Sequence, residues 1–329
     1  RAISDGPDVV VVTSDAMLYL WHEVQRATCA DLERTRLWPL SRRLTGRLWS
    51  GHQALLAAKL PASVHAAGEA VTLRLAAAAR LADGHAVLPE AIAEPTADLV
   101  AKIAAASETE AYPGDDYTQY RPRGPYAGDA TLGRYFRLVK WLGRQPLPLA
   151  GEWSSPDTVR QAAWLTALVR RDQPTRSDYR RLLATLRLLA GDTNGCDAEA
   201  LDRALTTVLG ADWQLVALAD DEVCRRVQAE LLKPGYAPVT VVTAPVIAGE
   251  PRFPTRAMAL LPEHAVPDAQ VIQRGLDRAE GRDTPQIGLR VATAVGLRQA
   301  EPLLAQEAGV KEAELASLTA RERDVGASL

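Results

Sequence analysis

Apolar side chains recur at steps of three and four residues along most of this chain, and this spacing is typical of amphipathic helices. One face of the first helical segment carries Met17, Leu20, Trp21, Val24, Thr28 and Leu32. Thr13 or Ser14 precedes most of this face, and either hydroxyl suits a helix N-cap. We therefore expect a helix here, with its apolar face and Trp21 packed into the core.

Proline and glycine divide the rest of the pattern, because proline suits a first helical turn and glycine suits the residue after the last one. Further helices are expected to begin at Pro39, at Pro61, after Asp129 or Thr131, and at Ser155-Pro156. A segment from Pro89 to Ala111 is expected to break near Pro95. The remaining helical patterns span about 176–190, 197–209, 219–232, 267–275, 287–306 and 311–324, and Gly191 and Gly210 follow the first two.

Two short β-branched runs interrupt the helical pattern, at Val9–Val12 and at residues 239–247. They predict at most a small ribbon beside a helical body. The expected fold class is mainly α, a multi-helix globular bundle with one or two short β segments. We expect a single helical domain over residues 1–329; the alternative is two lobes, residues 1–150 and 151–329.

The composition fits a soluble globular protein, with 47% hydrophobic and 24% charged residues in a chain of 329. A net charge of -3 gives no overall basic character, so we expect no nucleic-acid partner. No apolar run reaches the roughly 18 residues that a membrane span needs. We therefore expect membrane association only through a removed N-terminal signal or a lipid anchor.

The sequence lacks the short motifs that serve phosphate, dinucleotide or zinc chemistry, such as G-x-x-x-x-G-K-S/T, G-x-G-x-x-G and H-E-x-x-H. Its five His are dispersed and its three Cys have no metal-ligand spacing, so we expect no metal and no cofactor. Whether Cys196 and Cys224 pair is left open. The oxygen-rich run at 192–202 fails the spacing of a calcium loop, and Asp197 is instead expected to cap the next helix.

Residues 115–128, DDYTQYRPRGPYAG, differ from the Ala- and Leu-rich sequence around them. Pro and Gly oppose helix formation, while tyrosine rings can pack and their hydroxyls need partners. The loop arginines can form forked ion pairs with Asp115, Asp116 or Asp15. One alternative is a network that pins the loop, and the other is a pocket for a carboxylate, phosphate or sugar. The residues involved in either case are Asp115, Asp116, Tyr117, Gln119, Tyr120, Arg121, Arg123 and Tyr126.

Three segments carry a resemblance to a known family: VTSDAMLYLWHEV, DYTQYRPRGPY and LGRYFRLVKWLGR. Two weaker matches follow in the same order, LLPEHAVPDAQVIQRG and DTPQIGLRVATAVGLRQAEPLL, so the similarity spans about residues 9–305. On these segments the chain resembles the domain-of-unknown-function family 3160, whose bacterial and archaeal members often carry secretion or lipoprotein signals. The resemblance implies a helical protein outside the cytoplasm, and it implies no established activity.

The resemblance also places individual residues of the first segment. Thr13, Asp15 and His22 stand where the family pattern has T-x-D and the second of two His. Tyr19 takes the place of the first His, and Pro125 replaces a His that commonly follows the loop glycine. These two departures weaken any expectation of a His-rich metal or acid–base centre.

Three functional hypotheses follow, and whether the protein is an enzyme is left open. The first is an extracellular, periplasmic or cell-surface binding or scaffolding module that joins a larger surface assembly through a protein partner. The second is a carboxylate-based hydrolase that uses Asp15, His22 and Asp116, since a protonated carboxyl beside a charged one can perform acid–base catalysis. The third is a small-ligand binding protein that uses tryptophan, although Trp141 and Trp164 lie at apolar helical positions and are expected in the core.

Overall fold

Helices account for most of the structure, which confirms the mainly α class. The computed structural model describes residues 13–107, 115–144, 146–150, 154–191, 193, 195–233, 236, 240–242, 253–264 and 303. The α-helices within these ranges are α1 (Ser14–Leu32), α2 (Trp38–Leu56), α3 (Ala62–Ala70), α4 (Thr72–Ala82), α5 (Glu90–Ala105), α6 (Ala130–Arg144), α7 (Pro156–Arg170), α8 (Gln173–Ala190), α9 (Ala198–Leu209) and α10 (Asp221–Leu231). Short 3-10 turns cover Tyr117–Tyr120, Gly124–Tyr126 and Leu215–Ala219.

The chain divides into two compact units, residues 1–189 with 194–263 and residues 190–193 with 264–329. Apart from Ala190, the helices named above belong to the first unit, and so do the candidate sites described below. A boundary between lobes at residue 150 stays a prediction.

Short polar side chains begin several helices where the sequence predicted them. The Thr13 hydroxyl accepts a hydrogen bond from the Ala16 N–H at 3.1 Å. Ser155 forms a capping box with Thr158, in which each side chain accepts from the other residue's backbone N–H. Asp197 accepts from the Ala200 N–H at 2.8 Å, so the oxygen-rich run at 192–202 ends in an ordinary helix cap, as predicted.

One proline-based prediction is confirmed and another was wrong. A helix, α2, begins at Trp38 with Pro39 in its first turn, as predicted, although a π-helical turn, Glu33–Leu37, joins it directly to α1. Pro95 lies inside α5 and does not interrupt it, although a proline removes one backbone hydrogen bond. That helix ends at Ala105, and Ala106 takes the left-handed conformation with φ 50°. The predicted continuation over residues 108–111 lies outside the described residues.

The core forms where α2 packs against α4, where α4 also contacts α5 and α6, and where α7 packs against α3, α9 and α10. Trp164 on α7 is completely buried and Trp141 on α6 is nearly so, which confirms both predictions. The Trp164 indole N–H donates to Nδ1 of the buried His52 at 3.0 Å. This bond ties α7 to α2 inside the core.

The apolar face of α1 is not in the core, and this prediction was wrong. Met17 is 62% exposed and Trp21 is 69% exposed, and Ala30 is the first residue of α1 that is buried. From Thr13 to Thr28 the side chains are exposed, with the exception of the partly shielded Glu23. The spacing of apolar residues identifies a face that favours burial, but it does not say what covers that face.

Two small antiparallel ribbons supply the β structure of the described residues. β1 (Leu147–Pro148) pairs with β4 (Ala257–Met258), and β2 (Thr240–Val242) pairs with β3 (Phe253–Thr255). The Val9–Val12 run lies outside the described residues, and so do the helical patterns predicted after residue 266, except for Leu303, which is helical.

The cysteines are free thiols, so Cys196 and Cys224 do not pair. Both are buried, whereas Cys29 on α1 is half-buried. Within the described ranges, no helix combines the length and the apolar character needed to cross a bilayer.

Candidate functional site

The described part of the loop before α6, residues 115–129, contains an acidic residue that organises its own backbone. Asp116 is the N-cap of the 3-10 turn Tyr117–Tyr120, where one carboxylate oxygen accepts from the Thr118 N–H at 3.1 Å and from the Thr118 hydroxyl at 2.6 Å. Its other oxygen accepts from Nε2 of Gln119 at 2.9 Å. These bonds engage both oxygens of the Asp116 carboxylate with Thr118 and Gln119 of the same loop.

Asp115 forms the centre of a buried network. Arg144, the last residue of α6, donates to Oδ1 of Asp115 from Nη2 at 2.8 Å and from Nε at 3.2 Å. The Tyr120 hydroxyl donates to the other carboxylate oxygen. Only 7% of the Asp115 side chain and 11% of the Arg144 side chain are exposed. Burial alone would lower the pKa of Arg144, but the hydrogen bonds and charge of Asp115 outweigh it and raise that pKa.

This network has the predicted chemistry but not the predicted arginine. The ion pair to Asp115 comes from α6 and not from Arg121 or Arg123. Arg121 is exposed and donates to the backbone carbonyl of Ala106 at 3.3 Å, and Arg123 is exposed. Both loop arginines are exposed, and the ion pair to Asp115 comes instead from Arg144 at the adjoining end of α6.

The loop tyrosines pack as core residues. The rings of Tyr117 and Tyr120 lie 6.1 Å apart, and Tyr120 lies 6.1 Å from Trp141 of α6. The ammonium of Lys102 on α5 sits 5.9 Å from the centre of the Tyr117 ring. Tyr117 is 5% exposed and Tyr120 is fully buried, so these two rings hold the loop between α5 and α6.

A second buried acid lies at the base of α1. Glu33 opens the π-helical turn and accepts a hydrogen bond from the Tyr126 hydroxyl at 2.9 Å. The hydroxyl of Tyr135 on α6 is also buried and has no hydrogen-bond partner among the described residues. Burial raises the pKa of Glu33, although the bond from Tyr126 lowers it in part. Nearby, Arg34 pairs with Asp129, the residue before α6, at 2.8 Å.

Sequence reasoning missed Glu33, Tyr135 and Arg144. The last two lie within LGRYFRLVKWLGR, a segment singled out by the family resemblance, but Asp115, the partner of Arg144, lies outside that segment. The sequence does not indicate that Glu33 is buried, because an isolated acid in an amphipathic helix is usually exposed.

The three candidate catalytic residues occupy different settings. Asp15 and His22 lie on the exposed part of α1, and the carboxylate of Asp116 is engaged by its own loop. Across the part of the chain that the structure describes, His, Cys, Asp and Glu side chains do not gather in threes as a metal site requires.

The loop 115–126 contacts both buried acids, through Tyr120 at Asp115 and Tyr126 at Glu33, and α6 supplies Arg144 to the first, so two of the segments that suggested a family form this polar network. No curated protein and no solved structure matches the chain. The family described as "Protein of unknown function (DUF3160)" matches residues 3–326, nearly the whole sequence. The chain therefore belongs to the DUF3160 family.

Proposed function

We propose that this protein is a helical binding or scaffolding module outside the cytoplasm, and that it joins a larger surface assembly by docking a partner protein on α1. The observation that carries this proposal is the exposed apolar surface of that helix. Large apolar side chains there are between 60% and 69% exposed, namely Met17, Leu18, Tyr19, Leu20, Trp21 and Val24. Contiguous apolar surface of this kind marks interaction sites.

In the exposed part of α1 before Cys29 the charged side chains avoid one apolar side of the helix, whereas Asp31, nearer the base, shares that side. At 100° per residue, Met17, Leu20, Trp21 and Val24 share one side of the helix, while Asp15 and Arg26 fall on the opposite side. Glu23 and Arg26 pair with each other at 2.5 Å. The chemistry that fits this face is an apolar groove or helix on the partner, with the tryptophan as its main anchor.

The base of α1 is held in a way that suits a fixed docking arm. The π-helical turn makes α1 continuous with α2, the Tyr126 hydroxyl binds Glu33 at 2.9 Å, and Arg34 binds Asp129 at 2.8 Å. A preordered helix costs less entropy on binding than a disordered segment. The buried Asp115 network then serves to fix the loop that supports this base.

The hydrolase alternative is not put forward as a second proposal. It requires Asp15, His22 and Asp116 around one cleft, but the first two are exposed on α1 and the third caps its own turn. The small-ligand alternative through core tryptophans is likewise not put forward, because Trp141 and Trp164 are packing residues.

The experiment is native mass spectrometry of the protein isolated from its own organism, as wild type and as Leu20→Ser/Trp21→Ser. The matched control is Leu188→Ser, since Leu188 on α8 is 85% exposed but lies on another helix. We expect wild type and the control to carry the same partner in fixed stoichiometry and the double variant to lose it, with all three melting alike. A wild-type protein that is alone, or a double variant that keeps the partner, contradicts the proposal.

A further inference from the structure

A surface groove of about 380 Å³ lies between α2 and α4, and its volume is in the range of small-molecule sites. Its floor is made of small residues, and at Gly46 an added Cβ would meet nothing within 4 Å. Its lining consists of Pro39, Arg42, Arg43, Gly46, Trp49, Ala79, Ala82, Asp83 and Ala86. The groove is therefore open at Gly46 and carries two basic residues, Arg42 and Arg43.

Arg42 of the lining and Arg134 of α6, which lies beside the lining, converge on the carbonyl of Ala82 at the edge of this groove. Nε of Arg42 donates to the carbonyl of Ala82 at 3.0 Å, and Nη2 of Arg134 donates to the same oxygen at 3.4 Å. Both guanidinium groups also lie against the ring of Trp38, at 5.6 Å for Arg42 and 5.3 Å for Arg134. Because both guanidinium groups donate to the same carbonyl oxygen, their two positive charges lie side by side.

The positive charge of this pair is not balanced by a neighbouring carboxylate. Neither Arg42 nor Arg134 forms an ion pair among the described residues, and both are exposed. Arg43 pairs with Asp178, and Arg47 shares that same carboxylate. Asp83, the acidic residue of the lining, accepts from the backbone N–H of His85 at 3.1 Å, and it does not form an ion pair with Arg42 or Arg134, which are likewise described.

We propose that the groove binds a small organic carboxylate. The carboxylate lies between Arg42 and Arg134, whose planar guanidinium groups fit its two oxygens. The hydrocarbon part of the ligand lies on the floor at Gly46 and beside Trp49. This site is separate from the docking face of α1, so either proposal can fail without the other.

The first test measures the heat of binding of sodium hexanoate, sodium acetate and inorganic phosphate to the full chain. We expect hexanoate to bind at least about tenfold more tightly than acetate, because its longer chain buries apolar surface. Binding should also weaken as sodium chloride is raised, because the arginines are exposed. Equal affinities for hexanoate and acetate, or phosphate as the best ligand, would overturn the assignment to an apolar carboxylate.

Arginine variants test where the anion sits. Arg42→Gln and Arg134→Gln should each weaken hexanoate binding by about tenfold or more. The matched control is Arg80→Gln: Arg80 lies on α4 and donates to the Gly84 carbonyl at 2.7 Å, and not to the Ala82 carbonyl that Arg42 and Arg134 share. Loss in the control equal to that in the test variants contradicts a site at the arginine pair.

A third variant keeps both arginines and fills the floor. Gly46→Leu projects a side chain into open space, so it should fold and should block hexanoate while leaving acetate binding within about twofold of wild type. Hexanoate binding that is unchanged in Gly46→Leu shows that the hydrocarbon does not lie in the groove and rejects the proposal.

Discussion

Arg144, at the last position of α6, binds the carboxylate of Asp115, a residue 29 positions earlier at the start of the loop. Both side chains are almost fully buried, so removal of the arginine takes a forked ion pair away from a buried carboxylate. Arg144→Met should therefore lower the free energy of unfolding by about 3–5 kcal/mol. Urea denaturation of wild type and variant measures this difference.

The control for that prediction is Arg123→Ala, in the same loop. Arg123 is exposed, so its loss should leave the unfolding midpoint unchanged. If Arg123→Ala destabilises the protein as strongly as Arg144→Met, the loop is held differently from the network described here.

The buried His52 predicts a loss of stability in mild acid. Trp164 donates to its Nδ1, so the ring is neutral with its proton on Nε2, which donates to the Thr72 hydroxyl at 3.0 Å. Burial lowers the pKa of His52 from 6.5 to about 4. Between these values the unfolded chain binds a proton that the folded protein does not, so stability present at pH 7 is lost as the pH falls.

The expected loss from this one group is roughly 3 kcal/mol between pH 7 and pH 4. The measurement compares urea unfolding of wild type and His52→Gln at intervals over this range, since other groups titrate alike in both proteins. We expect a flatter pH dependence in the variant. Parallel curves would show that His52 does not titrate with a lowered pKa.

Much of the helical architecture is predictable from sequence because helix starts are local. Thr13, Ser155 and Asp197 each bond to a backbone N–H three residues ahead, so the signal and its effect lie within one turn. The Asp115–Arg144 pair is not local, and its arginine could not be chosen from several in the sequence. The exposure of Trp21 was also unpredictable, because periodicity shows which residues share a face but not which neighbour covers it.

Two helical glycines should respond in opposite ways to the same substitution. A Cβ added at Gly68 in α3 would lie 2.5 Å from the ring of Trp164, whereas one added at Gly46 in α2 meets open space. Gly46→Ala should therefore stabilise the protein by up to about 1 kcal/mol, through helix propensity alone. Gly68→Ala should destabilise it by about 1–3 kcal/mol through overpacking. Thermal melts of both variants test the pair, and two shifts of the same sign would contradict the packing of Trp164.

The three cysteines should differ in reactivity. Burial raises the pKa of the Cys196 thiol and raises that of Cys224 to about 11, so both lack the reactive thiolate at neutral pH. Cys29 is half-buried on α1 and should react first with iodoacetamide. Peptide mapping after timed labelling should find Cys196 and Cys224 modified only in denaturant. Rapid labelling of either one in the native protein, or a disulfide between them, contradicts the structure.

Glu33 makes an opposite pH prediction to His52, because burial raises its pKa above the ordinary value of 4.5. A carboxyl with a raised folded pKa opposes folding once it ionises, so its cost is present above that pKa and disappears as the pH falls through it. Glu33→Gln keeps an oxygen that can accept from Tyr126 but removes the charge. We expect this variant to be more stable than wild type at pH 8.

The advantage of Glu33→Gln should shrink as the pH falls through the raised pKa of folded Glu33, and it should be lost well below 4.5, where the carboxyl is protonated in both the folded and unfolded states. Tyr135→Phe is the companion variant, since it removes a buried hydroxyl that has no partner and should not destabilise the protein. Urea unfolding at each pH gives the comparison. A Glu33→Gln protein that is less stable at pH 8 would mean that the charged carboxylate at the base of α1 is satisfied by a partner other than Tyr126.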